Sequence, residues 1–95
     1  MTEFFKQPKI TGYRQLNEQE AQLMNQVKAK GQELQELVSV LNQYLIQQAA
    51  DACGNATEQE RLEQSQPMKW LAVGKTDLQT GLMALTRAVA QPGAF

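Results

Sequence analysis

The segment between Asn17 and Ala52 repeats apolar residues at three- and four-residue intervals and contains no proline. The apolar positions are Leu23, Met24, Val27, Leu34, Leu37, Val38, Leu41, Tyr44 and Leu45. This spacing is typical of one face of a helix and differs from the alternation of a strand. Asn17 and Glu20 have the spacing of a capping box, so the sequence predicts a first helix over about 17–52.

A second helical stretch is predicted over about 57–91, after a turn at 53–56. Thr57 and Glu60 have the spacing of a second capping box, and Gln91 precedes a Pro-Gly pair that ends the stretch. An adjustment of the helix is expected at Pro67. With residues 1–16 as an irregular N-terminal arm, residues 1–95 form one all-α domain, an antiparallel helical hairpin.

The second stretch has two adjacent rows at seven-residue spacing. Leu71, Leu78 and Leu85 form one row, and Gly74, Gly81 and Ala88 form the other. Glycine costs a helix about 0.8–1 kcal/mol relative to alanine, so we expect another helix to pack closely against this row. Two helices alone do not cover so much apolar surface, which predicts a homo-oligomer. The alternative is a monomer whose arm folds over the open face.

Composition excludes several classes of protein. The net charge is −1, there is no histidine, and Cys53 is the only cysteine. A binder of long nucleic acids would be strongly basic, and catalytic triads, zinc sites and acid–base pairs lack their residues here. Gly74-Lys75-Thr76 resembles the end of a phosphate-binding loop, but the first glycine and the preceding strand of that motif are missing. We therefore expect a binding protein that is not an enzyme and has no metal or cofactor.

No apolar segment approaches the length of a membrane span, and the first residues do not form a signal peptide. We expect a soluble, cytoplasmic protein. Its charges are sorted along the chain: net +2 over residues 1–30, −5 over 31–66 and +2 over 67–95. In a hairpin the two positive segments meet at the open end, which suits a small anionic ligand.

Candidate ligand-binding residues lie near that end. The rows of Leu23 and Met24 continue to Lys30 and Gly31, where the helix should be apolar, and such a conflict is typical of a functional site. Lys28 lies two residues before Lys30. The alternative is that Lys30 extends its stem over the edge of the apolar face.

An aromatic and a cationic residue, Tyr13 and Arg14, precede the first helix. Together they are able to stack on a base and contact a phosphate. Packing of Tyr13 beside Leu16 is an equal alternative. Trp70, beside Leu71, is expected to anchor a core or an interface.

Residues 13–20, 23–31 and 70–89 together resemble the phage anti-CBASS cyclic-oligonucleotide sponges, whose helical hairpin is shared with some anti-Thoeris sponges. The resemblance implies a protein that binds cyclic nucleotide signals of the host CBASS defence, such as 3′,3′-cGAMP, without cleaving them. It also implies a compact hexamer of interlocked hairpins in the cytoplasm of the infected bacterium.

The resemblance further implies specific site residues. Cyclic dinucleotides would occupy pockets shared by two protomers, with Tyr13 stacked on a base and Lys28 paired with a phosphate. Lys69 would contribute to a separate pocket for cyclic trinucleotides among three protomers. The alternative function is that of a structural adaptor, which binds a partner protein through the Gly/Ala face of the second helix.

Overall fold

The computed structural model describes residues 15–93, and this part of the chain is all-helical, with no strand. Three helices follow one another: α1 (Glu18–Asp51), α2 (Ala56–Ser65) and α3 (Pro67–Ala90). The chain turns back after α1, and α3 returns along it, so that Gly31 early in α1 meets Leu82 late in α3. The predicted all-α helical hairpin is confirmed.

The first helix starts with the predicted capping box. The Asn17 side chain accepts a hydrogen bond from the backbone N–H of Glu20 at 2.8 Å, and the Glu20 carboxylate accepts one from the N–H of Asn17 at 2.9 Å. These bonds satisfy two amides that the helix itself leaves without partners. At 34 residues, α1 is about 51 Å long.

The second helical stretch begins earlier than predicted. Asn55 is the N-cap of α2, and its side chain accepts from the N–H of Glu58 at 3.1 Å. The predicted capping box at Thr57 is therefore wrong. Asparagine is preferred over threonine at this position, which explains why the helix starts at Ala56.

A break at Gln66 separates α2 from α3. Gln66 has left-handed backbone angles (φ 50°, ψ 56°), and Pro67 is the first residue of α3. Proline disfavours the helical conformation in the preceding residue but fits the first turn of a helix, where its missing N–H has no cost. The adjustment expected at Pro67 is confirmed, and it is a complete interruption. Gln91, also left-handed, ends α3 before Pro92.

Packing of α1 against α3 leaves most apolar residues accessible. Ala52, at 2% exposure, is the only buried residue among 15–93. The radius of gyration is 20.3 Å, against about 12 Å for a compact domain of this length. The large apolar side chains that remain exposed include Leu37, Val40, Tyr44, Ile46, Trp70, Met83 and Leu85. This accessible surface is consistent with the predicted homo-oligomer, which stays a prediction.

Gly31 is a point of close contact between α1 and α3. A Cβ atom built on Gly31 would lie 3.3 Å from Cδ1 of Leu82, whereas within residues 15–93 nothing lies within 4 Å of one built on Gly74 or Gly81. Neither α1 nor α2 therefore packs closely against the row of Gly74 and Gly81. A packing role for this row requires a surface outside the hairpin.

Within residues 15–93, no helix is both long and apolar enough to cross a membrane.

Candidate functional site

A groove of about 780 Å³ lies between α1 and α3. Its apolar floor includes Leu34 and Val38 of α1, and Leu71 and Leu78 of α3. One wall is a polar row on α1, at the helical spacing 28, 32, 35, 39 and 42: Lys28, Gln32, Gln35, Ser39 and Asn42. Small-molecule sites in proteins usually have volumes of about 300–1,000 Å³, so the groove has the size of a ligand pocket.

The lysine at the open end of this wall is Lys28. It lines the groove, and within residues 15–93 it forms no ion pair or hydrogen bond. Its ammonium group therefore has no carboxylate neutralising it in the described part of the chain. An unneutralised cation beside an apolar floor is the arrangement that attracts an anionic, partly apolar ligand.

Lys30 occupies a different position. Its side chain is 73% exposed, and its Nζ lies 3.3 Å from Oε2 of Glu33. The expectation that Lys30 lies on the inward face of α1 is wrong, because the half-buried positions run through Met24, Val27 and Gly31 and pass beside it. The structure thus places Lys28 in the groove and Lys30 outside it.

Lys69 and Trp70 form a separate surface on α3. The Lys69 Nζ lies 5.5 Å from the centroid of the Trp70 ring, a distance at which a cation is attracted to the ring face. Trp70 is 60% exposed, and neither residue lines the groove. Within the hairpin, Trp70 is therefore not a core residue.

The structure adds Lys75, which was not among the predicted site residues. Lys75 lines the groove from the α3 side, and in the described residues it has no ion pair or hydrogen bond. It interrupts the inward row of Leu71, Leu78 and Leu82, where a fourth apolar residue would be expected. That interruption is the sequence signal by which Lys75 could have been found.

Tyr13 and Arg14 lie outside the described residues, so their predicted roles stay predictions.

An ion pair lies at the acidic turn end of the hairpin, away from the groove. There Glu58 accepts hydrogen bonds from Arg61, including one from Nε at 3.0 Å, and this bonding holds the pKa of Glu58 below its usual value. Both residues lie outside the groove. In residues 15–93, no group of three or more Cys, Asp or Glu side chains forms a metal site.

Comparison with known proteins identifies the family. Residues 8–90 match the model of the Acb2/Tad1 hairpin domain, which covers most of the chain. This chain belongs to the Acb2/Tad1 hairpin family. The resemblance indicated by the motifs of both helices is thereby confirmed. The matched range includes all five predicted site residues and Lys75.

A similar phage protein supports the same assignment. Anti-CBASS protein 2 of Pseudomonas phage JBD67 is 43% identical over 99 aligned positions, which cover 88% of this chain and 92% of the relative. The match therefore extends over most of both chains.

Proposed function

We propose that this protein binds and sequesters cyclic dinucleotide signals of the host CBASS defence without cleaving them. Support comes from membership of the Acb2/Tad1 hairpin family and from the phage relative named Anti-CBASS protein 2. The place of action is the cytoplasm of the infected bacterium. The ligand class is that of 3′,3′-cGAMP and related cyclic dinucleotides.

The observation that most supports this proposal is the position of Lys28, which has no ionic partner within residues 15–93, in a groove of ligand size. Each phosphodiester of a cyclic dinucleotide has one negative charge, and hydrogen bonds between an ammonium and a phosphate are among the stronger ones. The apolar floor of Leu34 and Val38 suits the faces of the bases. Lys28 therefore binds a phosphate while the floor contacts the purine rings.

The chain geometry favours a pocket completed by a second copy. Lys28 lies eleven residues beyond Asn17, or about 16 Å along α1. Tyr13 lies four residues before Asn17 and reaches at most about 14 Å from it, even with the chain fully extended. Tyr13 of the same chain comes alongside Lys28 only by doubling straight back along α1, whereas Tyr13 of another protomer has no such restriction. We therefore infer a shared pocket in a homo-oligomer. The resemblance to the cyclic-oligonucleotide sponges makes a hexamer the expected assembly.

Binding without cleavage agrees with the residues around the groove. Among residues 15–93, those lining it include no aspartate, glutamate or cysteine, and the sequence has no histidine. Hydrolases commonly use a carboxylate, a histidine or a thiol to activate water or to act as the nucleophile, and the described lining of the groove contains none of these.

A direct test combines calorimetry with recovery of the ligand. We expect 3′,3′-cGAMP to bind tightly to protein whose mass is known from light scattering, at one ligand per two chains. Heat denaturation should then release intact ligand, as seen by chromatography; linear dinucleotide in the supernatant would show an enzyme instead. No binding of 3′,3′-cGAMP or of the other cyclic dinucleotides would refute the proposal.

Lys69 supports a second proposed pocket, for cyclic trinucleotides. Its ammonium and the exposed Trp70 ring lie together outside the groove, which offers a cation and a stacking surface to a separate ligand. We expect a cyclic trinucleotide to bind protein already saturated with 3′,3′-cGAMP, and Lys69→Ala to weaken only that second binding. Competition between the two ligands would contradict separate pockets.

An adaptor function is the second candidate, and the open row of Gly74 and Gly81 favours it. In the described part of the chain nothing lies within 4 Å of a Cβ at either glycine, so α1, α2 and α3 leave this face open to a partner protein. An adaptor would give no heat with any cyclic nucleotide and would co-purify with one defined protein at fixed stoichiometry.

A further inference from the structure

We propose that Lys75 is a second phosphate-binding residue, so that the ligand lies along the α1–α3 groove and not only at Lys28. The inference rests on the proposed function, because it names a further residue of the same ligand site. Lys75 and Lys28 are the cations that line the groove, one from each helix.

The position of Lys75 on α3 is unusual for a lysine. Leu71, Leu78 and Leu82 follow a spacing of seven and then four residues along the groove side of α3, and Lys75 stands midway between the first two. An apolar residue there would extend the floor of the groove. A lysine instead places a positive charge beside the apolar floor of the groove, where an anionic ligand lying on that floor would meet it.

No anionic group of the described chain supplies that partner. Lys30 is paired with Glu33, and Arg61 with Glu58, but Lys75 has neither an ion pair nor a hydrogen bond within residues 15–93. The groove walls that face it contribute amides and hydroxyls, including Gln35, Ser39 and Asn42 of α1, and no carboxylate. The amide and hydroxyl groups of these side chains are able to donate hydrogen bonds to phosphate oxygens.

The spacing of the two lysines defines the length of the site. From the contact of Gly31 with Leu82, Lys28 lies three residues back along α1 and Lys75 seven residues back along α3. Because the helices are antiparallel, these steps run in opposite directions, and the two Cα positions are about 15 Å apart along the groove. Because lysine has a long, flexible stem, the two ammonium groups are able to reach the two phosphodiester charges of one cyclic dinucleotide from opposite ends of this segment, with the apolar floor between them.

The test is a charge-removing substitution with a matched control. Lys75→Gln is one atom shorter and keeps a hydrogen-bond donor but removes the charge, and we expect at least tenfold weaker binding of 3′,3′-cGAMP, with less dependence of Kd on salt. Lys75→Arg keeps the charge and should restore most of the affinity. Arg61→Gln removes the same charge outside the groove and should leave Kd within twofold of wild type.

Two results would overturn the assignment. One is wild-type affinity and salt dependence in Lys75→Gln. The other is a lower oligomer mass in Lys75→Gln by light scattering, with the Kd of the remaining full-size assembly unchanged, which would assign Lys75 to a contact between copies.

A measurement on unmodified protein complements the variants. The side-chain Cε–Hε NMR signal of Lys75, assigned by its loss in Lys75→Arg, should shift when 3′,3′-cGAMP is added, and no shift at saturation would contradict the inference. Failure of wild type to bind any cyclic dinucleotide would refute the proposed function itself and is therefore distinct from failure at Lys75.

Discussion

The contact between Gly31 and Leu82 allows a quantitative prediction about the free energy of unfolding. A Cβ atom at this position would lie 3.3 Å from Cδ1 of Leu82. Carbon atoms pack best at about 3.5–4.0 Å, so alanine requires Leu82 to move by a few tenths of an ångström. A leucine at position 31 adds three further carbon atoms to the same crowded contact and forces α1 and α3 apart.

The expected cost follows from comparing two substitutions at this one position. Alanine and leucine have nearly equal helix propensities, each about 0.8–1 kcal/mol better than glycine, so the difference between them isolates packing. We expect Gly31→Ala to leave the free energy of unfolding close to that of wild type. Gly31→Leu should be about 1–3 kcal/mol less stable than Gly31→Ala, the usual cost of overpacking.

Urea denaturation followed by circular dichroism at 222 nm measures this difference, at one protein concentration because assembly contributes to stability. Ala29→Leu is the matched control: it lies on an exposed position of the same helix and should change stability by less than about 0.5 kcal/mol. Adding Leu82→Ala to Gly31→Leu should recover part of the loss. Equal stability of Gly31→Leu and Gly31→Ala would refute the close approach at Gly31.

Three further predictions concern the ligand site, the assembly and the turn end. Lys28→Ala should weaken 3′,3′-cGAMP binding by about 1.5–3 kcal/mol, the worth of a charged hydrogen bond, and Lys30→Ala by clearly less; equal losses by calorimetry would show that the groove does not distinguish them. Gly81→Leu should leave the hairpin helical but lower the mass seen by light scattering, and an unchanged mass with a higher melting temperature would mean that this face meets only solvent. The hydrogen bond from Arg61 lowers the pKa of Glu58, so it stabilises the folded state above the ordinary glutamate pKa, about 4, and this contribution disappears as the pH falls through the lowered value. Glu58→Gln should therefore be less stable than wild type at pH 7 and no less stable near pH 2, as measured by thermal melting; a deficit independent of pH would point to another cause.

Local features of the fold could be predicted from the sequence because they depend on neighbouring residues. The box of Asn17 and Glu20 forms within four residues, and the break at Pro67 follows from the restriction that proline places on Gln66. The cap of α2 was missed because Asn55 and Thr57 both have cap chemistry, and the stronger cap prevailed.

The faces of the helices were less predictable because periodicity shows which residues share a face but not what that face meets. Gly31 was expected on the inward face and lies there, whereas Lys30 does not, since adjacent residues on a helix point about 100° apart. The row of Gly74 and Gly81 is regular in sequence, yet the hairpin leaves it open. Lys75 was missed because the sequence motif around it suggested only a phosphate-binding loop, and its position in the groove depends on how α3 packs on α1.

The two bends that bound α2 have a consequence for how the chain tolerates change. Gly54 (φ 84°) and Gln66 (φ 50°) have left-handed backbone angles on either side of α2, and the main interhelical packing is between α1 and α3. We therefore expect a change of length inside α2 to be taken up at these two joints, with the contact of Gly31 and Leu82 kept. In this sense α2 is a modular insert, and its solvent-facing positions are the natural place to attach a fluorophore or an affinity handle without altering the hairpin.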